Sequence, residues 1–306
     1  MSAPDLRVEL TGLALRNPIV AASGTFGYGL EFKPYLDLSR LGALVVKGLS
    51  LRPTQGNPPP RACETAAGML NSIGLQNIGA RAFIEERLPE LKRLGATVIA
   101  NFWGKTVDEV GATAAVLDSA AALDALELNI SCPNIQEGGL EFGTRPAMVE
   151  KVVAVARRAT SKHLMVKLSP NVGDIGEPAR AAEGAGADSL SVANTWLGMA
   201  VDVRTRRPKL HTGMGGLSGP AILPLSLRMV YQTVRAVRLP VIGVGGIATL
   251  EDALQYLIVG AQAVQIGTAS FFEPDVTVRV VEQLEAYARA QGIQKIAELV
   301  GSLIEV

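Results

Sequence analysis

The sequence predicts a closed (β/α)8 TIM barrel with loop and hairpin insertions at the C-terminal face of its strands. Three observations carry that reading. Eight short, apolar and often β-branched runs recur along the chain, segments of helical period separate many of them, and the runs are apolar almost throughout rather than alternating. Continuous apolarity is the mark of parallel strands covered on both faces. An open doubly wound sheet is the alternative, but no Gly-x-Gly-x-x-Gly opens a first helix.

Taken in order, the first strand is Ile19–Ser23, and its end carries Ser23-Gly24. The second, Ala43–Gly48, ends in Lys47-Gly48, and the Pro- and Gly-rich insertion Arg52–Leu70 follows it before a helical pattern over Ile78–Leu94. Strand three, Thr97–Trp103, brings Asn101. Strand four, Ala125–Ser131, delivers Asn129 and is stopped by Pro133, which has no N–H to continue a ladder. The Gly-rich loop Ile135–Thr144 and a helix over Pro146–Thr160 come next. Strand five, Leu164–Ser169, brings Lys167 and precedes a helix over Pro178–Ala185. Strand six, Ser189–Thr195, ends in Asn194-Thr195 and leads into the insertion Trp196–Pro220. A helix over Leu223–Val237, strand seven (Pro240–Gly246), a helix over Leu250–Val259 and strand eight (Ala263–Thr268) complete the pattern. All three insertions follow C-terminal strand ends, where barrel enzymes carry their active-site loops. They read as a lid or docking surface, leaving residues 1–306 as one domain.

Composition narrows the chemistry. With 29 basic and 29 acidic residues the net charge is zero, which argues against nucleic acid or an anionic membrane as partner. No apolar run approaches the roughly 18–20 residues of a membrane span. The N-terminal MSAPDLRVEL has no signal-peptide pattern, so a cytoplasmic location is the expectation. Cys63 and Cys132 form no CxxC pair, which argues against a disulfide framework or an intrinsic metal centre. His163 precedes a strand and His211 sits in a Gly-rich loop, so acid–base work falls to Cys, Lys or a carboxylate.

The strand ends converge on one kind of site. Lysines closing two apolar strands, Leu44-Val45-Val46-Lys47 and Met165-Val166-Lys167, have no acid adjacent in sequence, and a buried unpaired ammonium costs several kcal/mol. Gly245-Gly246 and Gly267-Thr268 let backbone N–H groups approach an anion, at the strands where barrels commonly hold a phosphate. Together they suggest a phosphorylated cofactor lying across the barrel mouth. The run Asn129-Ile130-Ser131-Cys132-Pro133-Asn134 adds a thiol, able to act as base or nucleophile, flanked by carboxamides that suit a planar amide-bearing ring.

Over nearly its whole length the chain resembles the class 1 dihydroorotate dehydrogenases. The resemblance rests on Asn129–Asn134, on Gly68-Met69-Leu70-Asn71-Ser72-Ile73-Gly74-Leu75-Gln76-Asn77, on Gly215-Gly216-Leu217-Ser218-Gly219-Pro220 and on Val244-Gly245-Gly246-Ile247. Within the class, Gly138-Gly139-Leu140-Glu141-Phe142-Gly143 and Gln265-Ile266-Gly267-Thr268-Ala269-Ser270-Phe271 are similar to class 1B. The resemblance implies oxidation of (S)-dihydroorotate to orotate in pyrimidine biosynthesis. It implies FMN in this chain, FAD and a [2Fe–2S] cluster in an electron-transfer partner subunit, NAD as final acceptor, and a homodimer of catalytic chains within a heterotetramer.

It further implies FMN contacts at Ser23, Lys47, Gly48, Asn101, Asn129, Lys167, Ala193, Gly219, Gly245, Gly246, Gly267 and Thr268. Substrate contacts fall on Lys47, Asn71, Ser72, Ile73, Gly74, Leu75, Asn129, Asn194 and Thr195, with Asn134 as a further partner. Cys132 matches the catalytic base, and Ser131 or a water is left open as a relay. The rivals are a class 1A fumarate-dependent enzyme, a flavin reductase of another pyrimidine ring, and a barrel without chemistry that serves as a binding module. Leu197, Met199 and Met214 are expected either to form an apolar contact patch at the mouth or to cover the flavin. Cys63 is open between an incidental thiol and one near a partner.

Overall fold

A computed structural model of the chain describes residues 3–131, 136, 137 and 140–305. Cys132, Pro133 and Asn134 therefore lie outside the described residues. Eight parallel strands close a barrel: β1 (Ile19–Ala21), β2 (Ala43–Leu49), β3 (Val98–Phe102), β4 (Ala125–Asn129), β5 (His163–Lys167), β6 (Ser189–Val192), β7 (Val241–Val244) and β8 (Ala263–Ile266). The closing contact pairs Val264 of β8 with Ile19 of β1. Every residue of β3, β4, β6, β7 and β8 is buried, which is why their sequences are apolar runs rather than alternations.

The crossovers are α1 (Ala80–Glu86) and α2 (Leu88–Arg93) after β2, then α3 (Val107–Asp118), α4 (Pro146–Ala159), α5 (Gly176–Gly184), α6 (Leu223–Ala236), α7 (Leu250–Ile258) and α8 (Val276–Gln291). Two details depart from the expected repeat. The helix predicted over Ile78–Leu94 is broken between Glu86 and Leu88. Pro89, near the start of α2, cannot donate the hydrogen bond that would carry α1 onward, so the first helix ends ahead of it. The β1–β2 connection holds only the short 3-10 turns Leu30–Phe32 and Leu38–Arg40. Gly24, Gly27 and Gly29 all sit at positive φ in that link and break any helical run.

The insertions after β2 and β6 pair with each other. Their strands form one four-stranded sheet in the order Trp196–Met199, Met214–Ser218, Gly68–Asn71, Ala62–Thr65, with Gly216 opposite Asn71 and Leu217 opposite Leu70. Gly216 is required at this seam, since a Cβ there would stand 2.1 Å from Thr195 Oγ1. The lid is thereby tied to the end of β6. Met199 pairs with Met214, and both are exposed together with Leu197, so these three form an outward apolar patch and none of them lines the cavity beneath.

At the opposite end, a hairpin of Val8–Leu10 and Leu13–Leu15 turns through Thr11-Gly12 and touches the barrel base. His163 Nδ1 faces the Thr11 carbonyl at 3.3 Å and its Nε2 lies 2.7 Å from Ser189 Oγ. A carbonyl only accepts, so Nδ1 carries the proton and the neutral ring accepts from Ser189 at Nε2. Burial pushes this imidazole below its ordinary value of 6.5. The unfolded chain then binds the proton more readily than the folded one, and stability present above pH about 6.5 is lost as pH falls toward the lower folded value. Thermal melts between pH 5 and 8 should show that slope, and His163→Gln should flatten it.

Candidate active site

The local fold explains why the strand ends meet. Between Val46↔Ala100 and Leu49↔Phe102 the β2–β3 register slips, so Lys47 and Gly48 together oppose the single residue Asn101. Such a bulge re-aims side chains beside a site. It leaves Gly48 against Asn101, where a Cβ would lie 2.8 Å from Asn101 Oδ1. Lys47 is half-buried, and burial first, then the nearby Arg61, pushes its ammonium below the ordinary value. An anionic group brought to Lys47 would relieve both effects.

One strand further round, Asn129 of β4 stands in register with Lys167 of β5. Lys167 is 4% exposed, has no carboxylate within ion-pair distance among the described residues, and donates from Nζ to Ser23 Oγ at 3.4 Å. Asn129 Oδ1 accepts from the Ser131 backbone N–H at 3.1 Å and from Ser131 Oγ at 2.7 Å. Ser131 Oγ in turn accepts from Asn194 Nδ2 at 2.6 Å. The chain Asn194–Ser131–Asn129 therefore fastens the ends of β4 and β6 together, directly before the position of Cys132.

The opposite half of the mouth is an anion cradle. The backbone N–H groups of Gly245, Gly246 and Thr268 donate to no other described group. Tyr256 O–H donates to the Gly245 carbonyl at 2.7 Å, which fixes the plane of the Gly245–Gly246 peptide; burial pushes the phenol well above its ordinary range. Thr268 Oγ1 donates to, or accepts from, Ser218 Oγ at 2.8 Å and joins the cradle to the lid.

These parts border one cavity of about 540 Å3, within the roughly 300–1,000 Å3 of small-molecule cofactor sites. Ser23, Lys167, Ala193, Asn194, Thr195, Gly219, Gly245, Gly246, Gly267 and Thr268 all line it. Lys47, Gly48, Asn101 and Asn129 are not on its wall; Asn129 adjoins it through its register with Lys167, and the bulge sets Lys47 and Gly48 against Asn101. Asn71, Ser72, Ile73, Gly74 and Leu75 continue from the lid strand and are not on the cavity wall, and Ser72 Oγ is buried with no partner among the described residues. Sequence reasoning missed the lid tip Thr65–Ala67, and with it Phe272, Glu273 and Arg279, all of which line the cavity. Only the Pro- and Gly-rich insertion signalled the first of these.

The comparisons with known proteins fit this geometry. The family model for dihydroorotate dehydrogenase matches residues 5–287. The chain belongs to the dihydroorotate dehydrogenase family. A dihydroorotate dehydrogenase B (NAD(+)), catalytic subunit, of Geotalea uraniireducens is 53% identical over 99% of this chain and 100% of its own length. The same-named protein of Trichlorobacter lovleyi is 54% identical over 98% of this chain and 99% of its own. A Solibacter usitatus protein provisionally named dihydroorotate dehydrogenase A (fumarate) is 52% identical over 98% and 99% of the two chains. Members of the family with either acceptor in their names thus stand at nearly the same distance, so overall identity does not separate the two. Among the described residues no helix is long and apolar enough to cross a membrane.

Proposed function

We propose that this chain, acting as one unit over residues 1–306, oxidises (S)-dihydroorotate to orotate in pyrimidine biosynthesis with FMN held across the barrel mouth. The observation that carries the reading is one cavity with an unspent anion cradle at one end and, at the other, the buried ammonium of Lys167, which has no carboxylate partner among the described residues. That donor set fits FMN: Gly245, Gly246, Gly267 and Thr268 would take the phosphate, and Lys167 and Ser23 would face the ring. Asn101, Asn129, Lys47 and the backbone of Gly48, Ala193 and Gly219 would complete its contacts. When bound, FMN supplies the two-electron acceptor for hydride from C6 of the substrate.

This chain's own residues do the rest. Asn194, Thr195, Asn129 and Asn71 through Leu75, with Asn134, would grip the alternating C=O and N–H groups of the substrate ring, because each carboxamide both donates and accepts. Lys47, with its depressed pKa, would hold the carboxylate or the cofactor. Cys132 would take the proton from C5, and Ser131, bonded to Asn129 and Asn194, or a water would relay it. The lid sheet would exclude water from above.

Tyr256→Phe removes the bond that fixes the Gly245 peptide, worth about 1 kcal/mol. FMN binding should weaken about fivefold, with riboflavin much less affected; fluorescence-quenching titrations of the two flavins check this.

The reading includes a partner subunit carrying FAD and a [2Fe–2S] cluster that passes electrons to NAD, a heterotetramer built on a homodimer of this chain, and a cytoplasmic location. The words "catalytic subunit" in the relatives' names and the exposed apolar patch of Leu197, Met199 and Met214 support the partner. The second reading, fumarate as acceptor, is favoured by the Solibacter relative. Orotate formation by the purified chain with fumarate, with NAD alone, and with NAD plus a flavin iron–sulfur partner separates them. The proposal expects NAD-linked turnover only with the partner, and fumarate-driven turnover by the chain alone would favour the second reading.

A further inference from the structure

Strand β4 carries an acid that the proposed chemistry does not use. Glu127 is completely buried, with its side chain inside the barrel, and no described cation pairs with it. Its carboxylate accepts three hydrogen bonds from three other strands: from Asn101 Nδ2 at 2.7 Å, Ser191 Oγ at 2.6 Å and Gln265 Nε2 at 2.7 Å. Residues 127 and 129 share one face of β4, so Glu127 lies one layer below Asn129 and its register partner Lys167. A barrel layer is ordinarily filled by branched apolar side chains, and an ionised carboxyl there costs several kcal/mol before its donors offset it. Packing alone gives no reason for an acid at this position.

We infer that Glu127 is a positioning residue that fixes which end of the Asn101 carboxamide meets the cofactor. The inference rests on the reading that FMN occupies the cavity above. A carboxylate only accepts, so the NH2 end of Asn101 must face Glu127, and the amide is oriented by chemistry rather than left free to flip. Its other end, Oδ1, is directed at Gly48, which has no side chain to cover it. Asn101 would therefore offer an acceptor past Gly48 to a bound ring and select an edge that carries an N–H. Gln265 holds the carboxylate from the far side and bonds Ser191 Oγ at 3.2 Å, so the group cannot swing away. The same fixed negative charge opposes added charge on a ring above it.

A double-mutant cycle of Glu127→Gln with Asn101→Ala tests this, read by FMN affinity of the apoprotein and by the flavin reduction potential. Glu127→Gln lets the Asn101 amide flip and should weaken FMN binding about tenfold, as should Asn101→Ala, with the double variant losing less than twofold more. The potential of Glu127→Gln should rise by about 30 mV, a tenfold shift for two electrons. Equal losses from Glu127→Gln in both backgrounds, or an unchanged affinity and potential, would overturn the inference. Should Glu127→Gln fail to fold by circular dichroism, Glu127→Asp keeps the charge but withdraws it by one methylene, and the same non-additivity with Asn101→Ala is required of it. Wild-type protein that takes up no FMN defeats the functional reading instead, so the two failures are told apart.

Discussion

Cys132→Ala should retain its flavin and lose turnover by about 10²-fold or more, the usual cost of a missing base. Neither histidine nor Lys167 is placed to substitute for it. His163 is at the base of the barrel, held by Thr11 and Ser189, and His211 is exposed in the lid loop with its backbone N–H on the Pro60 carbonyl. Lys167 is committed to Ser23 and to the cofactor end of the cavity. The residue after Ser131 brings an ionisable group to the position that follows the Asn129–Ser131–Asn194 bonds. A free thiol has a pKa near 8.5, so kcat/KM of the native chain should climb on the alkaline side toward about that pH. The residual activity of Cys132→Ala should lack that limb. Steady-state assays with an artificial acceptor across pH 6–9.5 measure both effects, and near-normal turnover at neutral pH would remove Cys132 from the role.

The second large effect belongs to the anion cradle. Gly246 has φ +74°, and a Cβ there would stand 2.7 Å from both the backbone N and the Cβ of Leu223, the first residue of α6. A side chain at such a φ costs roughly 1–2 kcal/mol before the clash is counted. Because Leu223 heads a helix packed against the barrel, the Gly245–Gly246 turn has to give way. Gly246→Val should therefore keep its circular dichroism spectrum, since β7 itself ends at Val244, while FMN affinity falls by more than tenfold. Riboflavin affinity should fall less, because the lost N–H groups serve the phosphate. Equal losses for the two flavins would assign Gly246 to the ring or to general stability.

How much of this was written in the sequence depends on how local the cause is. The eight strands were legible because burial on both faces forces apolar runs, and the strand-end residues were legible because a lysine or carboxamide closing such a run is costly without a ligand. Ten of the residues singled out for the cofactor and substrate do line one cavity. The lid was legible only as two insertions. That they pair into one sheet follows from Gly216 meeting Asn71 and Thr195, and a glycine leaves no side-chain pattern to read. The missing first helix follows from three positive-φ glycines, whose backbone state appears only in the folded chain. Glu127 was hidden inside the apolar run Ala125–Leu128, since its three donors come from strands far away in sequence.

Anaerobic addition of dihydroorotate to the purified chain is the most direct test that this barrel mouth is a flavin-dependent oxidation site. The purified protein should be yellow, and one equivalent of substrate per flavin should bleach its visible bands with stoichiometric orotate released. A chain that holds FMN in this cavity yet stays fully oxidised under excess dihydroorotate, or one that never takes up the flavin, would contradict the assignment.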